Sequence, residues 1–284
     1  MSHLASINAN KKSFASTGQE YDAKPSIQTL TDYFAASILR FDVSAERKTF
    51  DETENPLSAQ EASGLLTSIP PDFERHLIWP NSRVIDFACG TGLLAKKLAP
   101  FMPQGEIVGI DISETMLSGF DAKAEQIKQK FPALKIRSIC GDVLDPSFDT
   151  TALEKYADVV ICTLAFHHIH SYEKVAHILK TFVRPGGHIL VYDFYNEDSD
   201  RPVSPELAKR GVSRHGLSID EMSRCFGDCR NVSTAREVKI QLWQEEQFIL
   251  SHCRQAVIDN LPNVPKKDNL YYVESSVILA VVQV

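Results

Sequence analysis

The residues best suited to chemistry fall in three short stretches of the chain. The first is Asp86-Phe87-Ala88-Cys89-Gly90-Thr91-Gly92, which follows an apolar run and precedes a helical one. Glycines at such a join let the backbone approach a ligand, and the free amides of the following helix then face it. The second is Asp111, at the end of the next apolar run. An acidic residue there accepts hydrogen bonds from ribose hydroxyls. The third is Gly141-Asp142-Val143, whose carboxylate suits the exocyclic amine of adenine. Each alone reads equally well as a turn or a helix cap. In this order and spacing they predict one pocket for an adenosine compound.

Gly90-Thr91-Gly92-Leu93-Leu94-Ala95 also fits the loose dinucleotide pattern G-x-G-x-x-G/A. Two features oppose a dinucleotide. Asp86 lies within the strand, where such sites carry apolar residues, and no Tyr-x-x-x-Lys pair follows the fourth strand. No G-x-x-x-x-G-K-[ST] phosphate loop is present.

The elements that must position these residues alternate. Val84 to Ala88, Glu106 to Ile110, Leu134 to Ile139, Asp158 to Cys162 and His188 to Tyr192 read as five strands. Helices follow the glycine turn, Ser113 and Ser171, with Met116, Phe120, Ala124 and Ile127 on the inner face of the second. Such alternation predicts an open, mostly parallel α/β sheet of Rossmann-like form with helices on both faces. Ahead of it, Ile27, Leu30, Phe34, Ile38 and Phe41 have helical spacing, with Ser26 placed as cap, and a second helix is predicted over Ser58 to Thr67, before a break at Pro70-Pro71. Residues 42–58 read as mainly loop. Beyond the fifth strand, Ser218-Ile219-Asp220-Glu221 forms a capping box. Val238 to Leu242 reads as a strand, Trp243 to about Leu261 as one amphipathic helix, and Val277 to Val284 as a buried terminal strand.

The bulk numbers restrict partners. A net charge of −7 with no basic tract gives nucleic acid no electrostatic support. No apolar run is long enough to span a bilayer, and none at the start has signal-peptide length. Six cysteines without paired spacing suggest a reducing compartment, so a cytoplasmic location is expected and the sequon Asn231-Val232-Ser233 is a chance match.

The glycine turn resembles the first motif of class I S-adenosylmethionine-dependent methyltransferases, V-L-D-L-G-C-G-T-G, with Ala88 in place of the usual first glycine. Gly109-Ile110-Asp111-Ile112-Ser113 with Met116 resembles their second-strand motif, Cys140-Gly141-Asp142-Val143 the adenine-contacting motif, and Phe182-Val183-Arg184-Pro185-Gly186-Gly187 the turn before strand five. The chain is similar to the small-molecule type found in ubiquinone and menaquinone biosynthesis. It is nearer still to uncharacterised fungal relatives, through Tyr21-Asp22-Ala23-Lys24-Pro25, His167-His168 and His215-Gly216-Leu217-Ser218. The resemblance implies S-adenosyl-L-methionine as cofactor and a small-molecule methyl acceptor, with the acceptor atom open and a homodimer possible. It also implies that the terminal strand is antiparallel beside strand five. The cofactor-binding residues it implies are Tyr21, Asp86, Ala88, Cys89, Gly90, Gly92, Asp111, Ile112, Met116, Asp142, Val143 and Thr163. The organisation expected is a flexible tail (1–20), an N-terminal helical cap (21–75) and a methyltransferase domain (76–284) with an inserted helix at about 243–261.

Residues after strand four face the methyl group in this fold, which makes His168, and next to it His167, candidate bases. Either reads equally as packing against its loop. Adjacent histidines rarely aim at one ion, so His167, His168, His170 and Asp193 are not expected to bind metal. Cys225 and Cys229 have helical spacing and lack a fourth ligand. Absence of Asn/Asp-Pro-Pro-Tyr after strand four and of a paired-glutamate loop disfavours nucleobase, amide and arginine acceptors. The alternative is a cofactor-binding adaptor without activity, which an intact motif disfavours. Tyr21-Asp22-Ala23-Lys24-Pro25 is the expected lid, with the helix at Trp243 the second candidate.

Overall fold

The computed structural model describes residues 2–15, 18–41, 56–69, 77–197, 201–227 and 231–284. In chain order, the first part holds helices α1 (His3–Phe14), α2 (Gly18–Ala23) and α3 (Pro25–Arg40), strand β1 (Leu57–Ser58) and helix α4 (Ala59–Thr67). The central part alternates: β2 (Arg83–Phe87), α5 (Leu93–Leu98), β3 (Glu106–Asp111), α6 (Glu114–Lys130), β4 (Lys135–Cys140), β5 (Ala157–Thr163), α7 (Tyr172–Phe182) and β6 (Val183–Phe194). Helices α8 (Pro205–Lys209) and α9 (Ile219–Phe226) precede β7 (Asn231–Glu245), α10 (Glu246–His252), α11 (Gln255–Asp259), β8 (Lys266–Lys267) and β9 (Leu270–Gln283).

The strands form one sheet in the order β1-β7-β9-β6-β5-β2-β3-β4, with β8 paired to β9. Strands β2 to β6 run parallel, and β9 is antiparallel to both β6 and β7. The chain winds outward from β2 through β3 to β4, then crosses to the other side of β2 to lay down β5. The carboxyl ends of β2 and β5 therefore flank a topological switch, where open α/β sheets hold ligands.

Successive strand residues point to opposite faces, and both faces are covered. Val84, Ile107, Val159, Ile161 and Leu190 pack with α3, α5 and α6 through Leu30, Phe34, Leu94, Leu98 and Phe120. Ile85, Val108, Val160, Ile189 and Val191 pack with α7 and α9 through Val175, Leu179, Phe182, Met222 and Phe226. The capping box of Ser218 and Glu221 and the Ser113 cap form as expected.

Three segments depart from the sequence reading. The first 20 residues, expected as a loose tail, contain α1 and the start of α2. The buried positions of α1 are the polar Ser6 and Asn10, so apolar periodicity could not reveal it. Ser26 is not a cap: Lys24 holds that position, Pro25 starts α3 and Ser26 is buried within it. The single helix expected over Trp243 to Leu261 does not form. Pairing with β9 carries β7 through Trp243 to Glu245, where Trp243 faces Tyr272. The extended backbone of Cys253 then separates α10 from α11. The break at Pro70-Pro71, most of the 42–58 loop and Cys229 lie outside the described residues. The five described cysteines form no disulfide, and no helix among the described residues is long and apolar enough to cross a membrane.

Candidate active site

The glycine turn sits at the carboxyl end of β2. Gly90 and Gly92 have φ of 53° and 79°, and a Cβ at Gly92 would lie 2.7 Å from the Phe120 ring of α6. Ala88 adopts φ 54°, a left-handed conformation that strains any residue with a Cβ. Asp111 clamps the turn: its Oδ2 accepts the Gly90 N–H at 2.9 Å and its Oδ1 the Ser113 N–H at 2.9 Å. An ionised carboxylate has about four lone-pair sites, so acceptor capacity remains for a ligand. Thr91 donates to Asp22 at 2.5 Å, and Asp22 pairs with Lys123 at 2.6 Å, which ties α2 to the turn and to α6.

Helix α1 lies across the turn. His3 Nε2 stands 2.7 Å from Asp142 Oδ2, while Asp142 Oδ1 accepts the Leu144 N–H at 3.0 Å. Ser6 and Asn10 donate to the His168 carbonyl at 3.0 and 3.1 Å, and the Phe14 ring lies 5.3 Å from the His168 ring. Roofed in this way, the cleft stays partly open to solvent.

Two carboxyl groups stand close together here: Asp111, half-buried and lining the cleft, and Asp86, buried behind it. Asp86 is 3% exposed and its Oδ2 has no partner among the described residues. Burial, and next the nearby Asp111 charge, push its carboxyl up to about 7. Burial also raises Asp111, against the pull of the backbone N–H groups of Ser113 and Gly90. A ligand with positive charge would relieve both.

A second cavity adjoins the first, and Phe14, Tyr21, Leu164 and His168 line both. Leu164, at this junction, has φ 52°, and strain of that kind concentrates at functional sites. Phe194, Trp243, Phe248 and His252 form aromatic wall, with His252 stacked on Phe194 at 4.7 Å and 16°. His167 Nδ1 is 2.6 Å from Asp193 Oδ1, and His168 Nδ1 is 3.1 Å from the Gly211 carbonyl. Burial, then the neighbouring His167, holds His168 well below the usual histidine range. The same two causes depress His252, so both rings are neutral near pH 7.

A family described as a methyltransferase domain matches residues 84–187, which span β2 to the start of β6 and carry the turn, Asp111 and Asp142. Residues 84–187 carry a class I S-adenosylmethionine-dependent methyltransferase domain. An uncharacterized methyltransferase of Schizosaccharomyces pombe is 28% identical over 222 residues, covering 76% of this chain and 72% of that protein. A demethylmenaquinone methyltransferase of Thermus thermophilus is 33% identical over 112 residues, covering 39% of this chain and 47% of that one. A ubiquinone/menaquinone biosynthesis C-methyltransferase of Ectopseudomonas mendocina is 29% identical over 131 residues, 46% of each chain. The chain thus spans about half the length of the two quinone-biosynthesis relatives. A protein of Bacillus halodurans C-125, provisionally assigned as a methyltransferase, shares the fold: TM-score 0.54, 16% identity, covering 72% of this chain and 94% of that one.

In this chain, Tyr21, Ala88, Cys89, Gly90, Asp111, Ile112, Met116, Asp142, Val143, Thr163 and His168 all border the first cleft. Asp86 and Gly92 stand behind its wall, and His167 borders the second cavity instead. The sequence reading missed His3, Ser6, Asn10 and Phe14, whose helical spacing was the available signal. It also missed the aromatic wall, which the mistaken helix at Trp243 concealed.

Proposed function

We propose that this chain transfers the methyl group of S-adenosylmethionine to a small molecule held in the second cavity. The observation that supports the reading is the shared boundary at Leu164 and His168, where an aromatic-lined cavity adjoins the cleft beside the glycine turn. The quinone-biosynthesis names of two relatives point to the same acceptor class.

The residues fit the cofactor. Its sulfonium and ammonium groups carry positive charge, which offsets Asp111 at the cleft wall and, more distantly, the buried Asp86 behind it. Asp111 takes the ribose hydroxyls. Asp142 and Val143 border adenine, and the amides after Gly90 approach the rest of the ligand. Tyr21, Met116 and Thr163 complete the wall, and α1 excludes water. The cofactor, when bound, supplies an electrophilic methyl carbon; the protein holds the acceptor in line with it.

Incubation of the purified chain with methyl-labelled S-adenosylmethionine and a cell's small-molecule extract tests this. Label should appear in molecules below protein size. Label found only in protein or nucleic acid, or no label in any fraction despite bound cofactor, would contradict the reading.

A further inference from the structure

The second cavity contains one histidine whose surroundings differ from those of its neighbours. Asp193 of β6 is fully buried. Its Oδ1 accepts the His167 ring N–H at 2.6 Å and the Phe194 N–H at 2.7 Å, and its Oδ2 accepts the His167 backbone N–H at 3.1 Å. Three N–H donors therefore converge on a group that, when ionised, only accepts. With Nδ1–H committed to the carboxylate, the Nε2 lone pair of His167 has no partner among the described residues, and the ring borders the cavity. His168 instead points Nδ1 at a neutral carbonyl, that of Gly211. His252 makes ring contacts, with His167, His168, Phe194 and Phe248, and has no carboxylate partner among the described residues. A carboxylate behind the ring fixes the tautomer and lies beside the cation that forms when Nε2 takes a proton. Of the three histidines, only His167 has one.

We infer that the acceptor is a flat, apolar molecule bearing a hydroxyl group, and that His167 Nε2 takes the hydroxyl proton while Asp193 acts as its positioning residue. This rests on the small-molecule reading above. A neutral amine attacks with its own lone pair and needs no base, whereas a hydroxyl is a weak nucleophile until its proton is drawn away. In the step, the O–H bond breaks and its proton passes to Nε2. The oxygen lone pair forms the new O–C bond to the methyl carbon. The C–S bond breaks with its electrons going to sulfur, and the imidazolium later releases the proton to water. The walls match the body of such a molecule: Phe194 and Phe248 are flat and apolar, Ile27 and Leu270 aliphatic. Charge at the rim is balanced, because Lys24 pairs with Glu245 at 3.0 Å and Glu20 and Arg210 carry opposite signs, so a neutral acceptor fits better than an ion.

The test uses the full chain saturated with S-adenosylhomocysteine, labelled with nitrogen-15 in histidine, and naphthol and naphthylamine as matched probes. Asp193, His168 and His252 contact His167, and Tyr21 and Arg210 line the same cavity, so the spectrum is followed as pH is varied and each histidine is assigned by substitution. The expected spectrum has His167 protonated at Nδ1 only, with Nε2 shifting on addition of naphthol and much less with naphthylamine. Methyl transfer from S-adenosylmethionine to naphthol should fall by about 10²–10⁴ in His167→Gln and Asp193→Asn. In both variants S-adenosylhomocysteine affinity should stay within about twofold, and in Asp193→Asn the acid limb of the kcat profile should move while KM holds. A His167 ring protonated at Nε2, or naphthylamine bound and methylated as well as naphthol, would overturn the inference. Failure of the wild type to bind S-adenosylhomocysteine would instead overturn the small-molecule methyltransferase reading on which it rests.

Discussion

His3 Nε2 stands 2.7 Å from the Asp142 carboxylate, joining the first turn of α1 to the loop after β4 across 139 positions of chain. The contact is partly exposed on both sides, so its worth is that of an ordinary hydrogen bond, about 0.5–1.5 kcal/mol. It anchors α1 over the first cleft one turn ahead of Ser6. His3→Ala should therefore speed amide exchange over residues 3–14 by about 2- to 10-fold and leave β2 to β5 unchanged, measured by hydrogen exchange with mass spectrometry. Unchanged exchange in α1 would mean that Ser6 and Asn10 alone fix the helix.

Asp86 makes a pH prediction. An unfolded aspartate titrates near 3.9, and in the folded chain Asp86 titrates at about 7. Between these values the folded state holds one more proton, so stability falls as pH rises through the window and levels off above it. The slope from this residue is at most about 1.4 kcal/mol per pH unit. Asp111 acts in the same sense, while His168 and His252 act oppositely below their unfolded pKa. The quantity to follow by urea unfolding is thus wild type minus Asp86→Asn, which should become steadily less favourable to wild type from pH 4 to 7. A constant difference would show that Asp86 is ionised throughout.

Ala88 occupies a left-handed position in the glycine turn, with φ 54°. Left-handed backbone costs a residue with a Cβ about 1–2 kcal/mol, and glycine loses about 0.5–1 kcal/mol in unfolded-state entropy. Ala88→Gly should raise stability by up to about 1 kcal/mol, read from the midpoint of urea unfolding at unchanged slope. A loss of stability would mean that the methyl group packs usefully against the cleft wall.

The central sheet was legible because its strands are buried on both faces, so Val84-Ile85 and Val159-Val160-Ile161 announce themselves as apolar runs. Asp111 and the glycine turn were legible for a related reason: the switch point between β2 and β5 fixes which residues meet. What hid from the sequence was structure whose signal is tertiary. Helix α1 buries serine and asparagine against the His168 carbonyl, which no hydrophobic pattern records. Trp243 belongs to a strand because β9 lies beside it, not because of its neighbours in sequence. The pairing of His167 with Asp193 joins residues from the loop after β5 and from β6, and nothing in either segment alone distinguishes His167 from His168.

The most direct measurement is a crystal structure of the chain with S-adenosylhomocysteine. The ribose hydroxyls should lie within hydrogen-bond distance of Asp111, the adenine beside Asp142 and Val143, and the sulfur at Leu164 and His168, facing the cavity walled by Phe194, Trp243 and Phe248. Calorimetry on Asp111→Ala should agree, with binding weaker by about 1.5–3 kcal/mol. A sulfur atom turned away from the second cavity, or a nucleoside bound without contact to Asp111, would contradict the account.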